Sequence, residues 1–365
     1  MKVLYDYQIF RRQRYGGISR YFTNLVRYAN EDETIVTCHH SKNYYYNQLI
    51  GGYDYKYESM IFEQINNSIS RFVTNRRIKR GDIEVVHPTY TDAYFLKSLR
   101  DEKVVITIHD LAIERYPDRF SKASEFIDKR KKLIEVADHI IAVSENTKNE
   151  LIDYYKVDSD RVTVVYHGLP KEFGKISIHL RGLPEHYLLY VGQRGGNKNF
   201  SNFIEAFAQL KDANPHLSLL CVGGGEFTEE ERKQMARLSL DKRVQQRNLN
   251  DAVLAACYKQ AEAFVFPSLY EGFGIPILEA FAMRCPIVLS SIGSFQEIAG
   301  DHGTYFNPEE VADMAATIQW VIDPQNKDEV LRRVEAGSEA LGAFTLEHTY
   351  NNTYKVYEKV MKAST

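Results

Sequence analysis

Two carboxylates in one short stretch are the residues best suited to chemistry. Residues 266–280, FPSLYEGFGIPILEA, place Glu271 in a glycine-punctuated loop and Glu279 eight residues later, inside a helix that starts near Pro276. At that spacing the first carboxylate faces a loop-bound ligand, and the second reaches it from the opening turns of the helix. Their neighbours Ile277, Leu278, Ala280 and Phe281 are apolar, and buried carboxylates require hydrogen-bond partners. Sugar or ribose hydroxyls are suitable donors.

Three other segments carry unusual residues. Residues 190–200, YVGQRGGNKNF, set three glycines, Arg194 and Lys198 between a strand-like run and a helix-like one. Two cations with loop amides suit a diphosphate; a solvated pair of surface charges is the alternative. The loop has neither GxGxxG spacing nor a GK[ST] ending. Residues 15–20, YGGISR, precede another helical run. Paired glycines let amides approach a ligand and a helix N-terminus favours an anion, or the segment is a turn with Ser19 as N-cap. Finally, His109 and Asp110 close a strongly apolar strand. Asp110 either holds the histidine tautomer or caps the following helix.

Residues of this kind need strand ends to position them. Short apolar runs at 2–4, 34–38, 85–87, 104–109, 139–144 and 163–166 alternate with helical spacing at 21–28 and 123–137. The alternation returns with strands at 187–191, 217–222, 263–266 and 286–290, and helices at 200–210, 229–238, 251–260 and 277–283. This pattern predicts an α/β chain of two doubly wound parallel sheets, joined through the Gly/Pro-punctuated stretch 168–184. Such sheets bind ligands at the C-terminal ends of their strands.

Composition narrows the class. The 365 residues fit about two domains, and 44% hydrophobic with 26% charged residues can build sizeable cores. Forty-six basic against 49 acidic residues leave a net charge of −3, so no global basic field points to nucleic acid. Cys38, Cys221, Cys257 and Cys285 form no CxxC pair, which argues against a zinc site or a disulfide framework and fits a reducing compartment. The N-terminus reaches arginines before a signal-peptide core could form. No apolar run approaches the ~18 residues of a membrane span. Twenty-five tyrosines are present, many of them early in the chain.

With EGFGIPILEA preceded by FPSLY, the sequence resembles the retaining family-4 glycosyltransferases. The resemblance covers nearly the whole chain: YGGISRY at 15–21, His109-Asp110, AVSENTK at 142–148, VVYHGLP at 164–170, the 190–200 loop and SIGSFQEIAG at 291–300 follow in family order. It implies the GT-B architecture, two Rossmann-like domains facing across a cleft. Residues 1–172 would form an acceptor-side domain, 173–185 a linker and 186–344 the nucleotide-sugar domain, with 345–365 a helix returning to the first domain. Catalytic roles would fall to His109, near the transferred sugar, and to Glu271 and Lys198. Donor binding would involve Gly16, Gly17, Arg194, Lys198, Gly272, Phe273, Gly274 and, on the ribose, Glu279; residues 244–249 would lie near the base. Many relatives place arginine directly before the loop lysine, where this chain has Asn197, so Arg194 would supply the missing charge.

The implied reaction is transfer of a sugar, mannose or rhamnose favoured, from a nucleoside diphosphate to an acceptor hydroxyl with retained configuration. Cations and aimed amides stabilise the departing diphosphate. No DxD pair stands at a strand end, so neither a metal nor another cofactor is expected. The acceptor would be a saccharide or lipid-linked saccharide of a cell-surface polysaccharide or lipopolysaccharide. Tyr44, Tyr45, Tyr46, Tyr53, Tyr55 and Tyr57 are candidates to stack on it. The basic cluster Arg71, Arg76, Arg77, Lys79 and Arg80 is either a solvated face or a peripheral contact with an anionic membrane. A cytoplasmic location follows, at the inner face of the plasma membrane if that contact forms. The rival readings are a nucleotide-sugar epimerase of the same architecture and a non-catalytic sugar-nucleotide-binding protein.

Overall fold

A computed structural model of the chain describes residues 1–30, 32–52, 59–175 and 182–363. Tyr53, Tyr55 and Tyr57 lie outside the described residues, as does the middle of the expected linker. The chain forms two compact units: Met1–His167 with Leu346–Thr365, and Gly168–Thr345.

Unit 1 contains β1 (Val3–Tyr5), β2 (Thr34–Val36), β3 (Val85–His87), β4 (Lys103–Ile108), β5 (His139–Ala142) and β6 (Val162–Val164). They pair in the order β2-β1-β3-β4-β5-β6, and every pairing is parallel. Parallel strands are covered on both faces, so β3 and β5 are buried throughout. Leu4, Val86, Ile106 and Ile140 pack on one side. Val3, Tyr5, Val85, Val105 and Ile141 pack on the other.

The final helix, Leu346–Lys362, belongs to that second face. Val356, Tyr357 and Val360 join the cluster around Tyr5, Phe10 and Phe22. Tyr357 also closes a buried polar chain. Its hydroxyl lies 2.9 Å from that of Tyr5 and 2.7 Å from Nδ1 of His87, whose Nε2 is 2.9 Å from Oγ1 of Thr107. Buried polar groups require such partners, so this chain fixes the helix on the sheet more specifically than apolar contact alone.

Unit 2 repeats the plan with β7 (Tyr187–Val191), β8 (Ser218–Val222), β9 (Val244–Arg247), β10 (Ala263–Phe266), β11 (Ile287–Ser290) and β12 (Thr304–Phe306). Their order is β12-β11-β10-β7-β8-β9, again wholly parallel. The two edge strands, β9 and β12, have no counterpart among the apolar runs expected from sequence. Gln245, Gln246 and Arg247 are only half-buried or exposed, because an edge strand has one neighbour and imposes little hydrophobic patterning. Leu169 is tied to unit 2 through its bond to the Phe344 carbonyl, 3.0 Å, and a parallel bridge to Thr345.

Burial sets a pH dependence for unit 1. His87 and His167 are both pushed down from 6.5 to about 3 by desolvation of their charged forms. A depressed folded-state value means that the unfolded chain binds more protons between pH 6.5 and about 3. Their contribution to stability is therefore complete above pH 6.5 and declines as pH falls through that window, by at most about 1.4 kcal/mol per pH unit for each ring. Imidazole NMR resonances of both residues should stay at neutral-ring positions down to about pH 4 while unfolding free energy falls; titration near pH 6.5 in the folded protein would contradict this burial.

Candidate functional site

A hydrogen-bonded group of polar side chains sits at the C-terminal edge of the second sheet. The turn after β7 carries Lys198, and the turn after β10 carries Glu271. Lys198 Nζ donates to Glu271 Oε1 at 2.5 Å, and Ser268 Oγ donates to the same oxygen at 2.7 Å. Ser294 Oγ donates to the Glu271 carbonyl at 2.7 Å. The two turns are also stitched through backbone: Leu269 N–H donates to the Asn197 carbonyl at 2.8 Å, and Asn197 Nδ2 to the Tyr270 carbonyl at 2.5 Å. Both members of the ion pair keep part of their surface in solvent, 26% for Lys198 and 16% for Glu271. The pair is therefore held in place and reachable.

The helix Ile275–Ala282 starts immediately beyond this group, with Gly274 as its N-cap and no side chain capping it. Gly274 has φ +110°, and a Cβ there would fall 3.0 Å from Ile277 Cδ1 and Phe295 Cε1. Glycine is required on both counts. Gly272, Phe273 and Gly274 thus bring backbone to a helix N-terminus, whose partial positive charge suits an anion. Glu279 lies in the same helix, 4% exposed. Tyr258, on the Asp251–Gln260 helix, donates its hydroxyl to Glu279 Oε2 at 3.1 Å. Sequence reasoning assigned the hydrogen-bond donors of both carboxylates to a ligand; Tyr258, Ser268 and Lys198 supply some of them from the chain itself. Ser268 was legible in FPSLYEG, whereas nothing local in the sequence points to Tyr258.

Arg194 is placed differently from the expected diphosphate contact. Its guanidinium is turned inward and its side chain is 3% exposed. Nε donates to Glu231 Oε1 at 2.9 Å, Nη1 to the Gly223 carbonyl at 3.0 Å, and Nη2 to the carbonyls of Gly225 and Glu226 at 2.9 and 2.8 Å. It also lies 4.7 Å from the Phe227 ring centroid. Those carbonyls belong to a turn after β8 in which Gly223, Gly224 and Gly225 all have positive φ. A Cβ on Gly224 would fall 2.7 Å from Nη1 of Arg194. Arg194 therefore shapes the glycine turn beside the lysine loop, and Lys198 is the cation of that loop placed toward Glu271. Residues 244–247 of the expected base-contacting segment form β9, joined to the same turn by the Gly223 N–H to Arg247 carbonyl bond at 2.9 Å.

In unit 1, Gly16 is the N-cap of the helix Gly17–Tyr28. Ser19 is not the cap. Its hydroxyl donates back to the Gly16 carbonyl at 3.0 Å, and its N–H reaches Gln13 Oε1 at 3.3 Å. His109 follows β4. Its ring stacks on His167, 5.4 Å between centroids and 9° between planes, with Tyr21 edge-on at 5.0 Å. Burial, then the His167, His87 and Arg130 charges, hold His109 well below 6.5, so the ring is neutral at physiological pH. Its buried Nε2 has no hydrogen-bond partner among the described residues. Asp110 Oδ1 accepts from Ala112 N–H at 3.1 Å, but the N-cap of the helix Ala112–Arg115 is Leu111 and no side chain caps it. The stacking partner His167 lies in the VVYHGLP motif at 164–170, where sequence reasoning assigned it no role.

The tyrosine run divides. Tyr46 is core, stacked on Phe10 at 4.4 Å, while Tyr44 and Tyr45 gather around Tyr15 beside Gly16. A separate cavity of about 860 Å³ in unit 1 is lined by residues including Tyr7, Arg12, Tyr90, Arg119, Lys122 and Phe126. Among the described residues no group of three or more His, Cys, Asp or Glu side chains is arranged to hold a metal ion, and no helix is long and apolar enough to cross a membrane.

Residues 15–173 match the family model "Glycosyltransferase Family 4", and residues 175–336 match "Glycosyl transferases group 1". The chain belongs to the family-4, group 1 glycosyltransferases. Within that family it is 30% identical over 234 residues to the O-antigen chain mannosyltransferase RfbU of Salmonella typhimurium, spanning 64% of this chain and 63% of that protein. It is 28% identical over 250 residues to the serotype-specific mannosyltransferase WbdA of Escherichia coli, spanning 63% of this chain but only 31% of that protein. Crystal structures share the GT-B fold at lower identity. Anabaena Alr3699/HepE in complex with UDP and glucose has a TM-score of 0.76 at 17% identity, covering 98% of this chain and 99% of that one. Sucrose-phosphate synthase from Thermosynechococcus elongatus has a TM-score of 0.75 at 18% identity, covering 99% of each chain.

The position of Arg194 generates a direct test. Arg194→Ala strips donors from the carbonyls of Gly223, Gly225 and Glu226 and leaves Glu231 Oε1 without its guanidinium, which should destabilise the protein by about 3 kcal/mol in urea denaturation. A variant of unchanged stability with selectively weakened sugar-nucleotide binding would instead return the guanidinium to the ligand.

Proposed function

We propose that the chain is a retaining hexosyltransferase, with mannose ahead of rhamnose as the transferred sugar. It moves that sugar from a nucleoside diphosphate to a hydroxyl of a saccharide or lipid-linked saccharide in cell-surface polysaccharide or lipopolysaccharide synthesis. One observation carries the reading: the Lys198–Glu271–Ser268 cluster stands at the open head of the helix that contains Glu279. This arrangement offers a cation and a helix N-terminus to a diphosphate, and carboxylates to sugar and ribose hydroxyls. The preference for mannose rests on the similarity to the O-antigen and serotype-specific mannosyltransferases.

In this mechanism Lys198 and the amides of residues 272–274 neutralise the leaving diphosphate as the glycosidic bond stretches. Their effect grows as charge develops, which is the condition for accelerating the chemical step. Glu271 holds the reacting sugar, and its Oε1 orients Lys198. Glu279 holds the ribose, with Tyr258 fixing its rotamer. Gly16 and Gly17 lend amides to the diphosphate. His109, a neutral ring with an unpartnered Nε2, meets a sugar hydroxyl without adding charge. The leaving-group charge is handled by Lys198 and backbone dipoles, so turnover is assigned no metal.

The decisive experiment offers a panel of nucleoside-diphosphate hexoses with saccharide acceptors and determines the anomeric configuration of the product by NMR. Sugar appearing on the acceptor with retained configuration supports the proposal; isomerised sugar nucleotide without transfer supports the epimerase. Activity should persist in EDTA, and activity lost to chelator and restored by Mn²⁺ or Mg²⁺ would overturn the metal-free assignment.

The two carboxylates should separate kinetically. Ribose contacts are alike in ground and transition states, so Glu279→Ala should mainly raise the donor KM, with kcat within about tenfold. Glu271→Gln should lower kcat by ~100-fold or more, the scale of losing one aimed electrostatic contact. Lys198→Ala should weaken donor binding and slow transfer together. The reverse pattern at the two glutamates, measured by steady-state kinetics with circular dichroism as folding control, would exchange their roles.

A further inference from the structure

The helix Met60–Ile78 in unit 1 is amphipathic in the inverted sense. Its face toward the domain is polar apart from its last turn: Asn66, Ser70 and Thr74 are buried, with Ile78 following. Thr74 Oγ1 lies 2.7 Å from Thr37 Oγ1, Ser70 Oγ accepts from His39 N–H at 3.0 Å, and Arg11 Nε donates to Asn67 Oδ1 at 3.1 Å. The opposite face is apolar and open. Met60 is 81% exposed, Ile61 72% and Phe72 63%, with Phe62, Ile65, Ile69 and Val73 between 37% and 49%. Seven of the thirteen large exposed apolar side chains among the described residues are on this one helix, so they are not the isolated apolar residues of an ordinary surface. At 3.6 residues per turn, Ile61, Ile65, Ile69, Phe72 and Val73 share about a third of the circumference.

Charge identifies what this face meets. Between residues 59 and 81 the exposed side chains include Arg71, Arg76, Lys79 and Arg80 and no acid. The only carboxylate there, Glu63, is half-buried and paired with Lys42 at 2.8 Å. An apolar stripe whose exposed charged neighbours in this segment are all cationic is complementary to an anionic lipid surface: aliphatic and aromatic groups enter the acyl boundary while arginine and lysine remain among phosphates. We propose that Met60–Ile78 is an interfacial membrane-docking helix. It lies in the plane of an anionic bilayer on Ile61, Ile65, Ile69 and Phe72, held at its C-terminal end by Arg71, Arg76, Lys79 and Arg80. Peripheral contact here is thus not electrostatic alone, as the basic cluster by itself implied. The apolar stripe adds a component that salt does not screen. The surface needs no sugar nucleotide, so it stands or falls separately from the transfer reaction; under that reaction it would bring the protein to a lipid-linked acceptor.

The test is co-sedimentation of the full chain with vesicles of mixed phosphatidylglycerol and phosphatidylcholine, against phosphatidylcholine alone. Binding should favour anionic vesicles, and should weaken without vanishing between about 0.1 and about 0.5 M salt. The triple variant Ile61→Ser, Ile65→Ser, Phe72→Ser replaces exposed side chains and should keep its circular dichroism, yet partition at least about tenfold more weakly at both salt levels. The variant Arg71→Gln, Arg76→Gln, Lys79→Gln, Arg80→Gln should lose chiefly the salt-sensitive part. Absence of vesicle binding, or equal binding by the triple serine variant, overturns the proposal. So does self-association in sedimentation velocity that the triple variant abolishes while vesicles are ignored, which would make the face an interface between copies.

Discussion

Parallel strand pairing is the constraint from which the rest follows. Every strand in both sheets runs the same way as its neighbours, so every strand-to-helix turn leaves from one edge of its sheet. Residues distant in sequence are thereby delivered to one place. Lys198 and Glu271 are 73 positions apart and share a hydrogen bond because β7 and β10 are adjacent. The same geometry brings the glycine turn after β8 against the lysine loop, where Arg194 fastens it. In unit 1 it sets His109, after β4, beside His167, after β6, on strands separated only by β5.

At those strand ends the chain keeps its polar groups partly satisfied before any ligand arrives. Glu271 accepts from Lys198 and Ser268, and Glu279 from Tyr258. Preorganisation of this kind lowers the cost of ordering side chains on binding. Under the proposed function, a diphosphate at Lys198 would compete with Glu271 for the ammonium, coupling the carboxylate to the cation. The buried histidines extend the theme. His87 is locked between Tyr357 and Thr107, so the last helix of the chain is bonded into the sheet that presents His109.

The exposed apolar helix shows a different balance. Most helices bury apolar side chains and expose polar ones; Met60–Ile78 does the opposite over most of its length and is retained through Thr37, His39 and Arg11. Seven large apolar groups in water are unfavourable for an isolated monomer. Such a helix is stable on a domain that supplies polar partners for its inner face, and it gains when a second apolar phase covers the outer one.

The strand–helix alternation was legible in the sequence alone, for local reasons, and the GT-B class through the family resemblance that its ordered motifs carry. Buried parallel strands such as residues 263–266 must be continuous apolar runs, and a tight turn packed against its own chain needs glycine at positions such as Gly274, whose φ is +110°. Glu271, Lys198 and His109 could be named because their types and places after strands are properties of short segments. Tertiary structure decided the direction of each side chain. Arg194 and Lys198 are four residues apart in one loop, and only the packing of the β8 turn sends the guanidinium inward while the ammonium meets Glu271. Tyr258 and His167 acquired their roles from neighbours in space. The edge strands β9 and β12 escaped notice because one-sided pairing asks little of side-chain hydrophobicity. The outward face of Met60–Ile78 likewise depends on what Thr37 and His39 offer its inner face, since periodicity marks an apolar stripe without saying which way it turns.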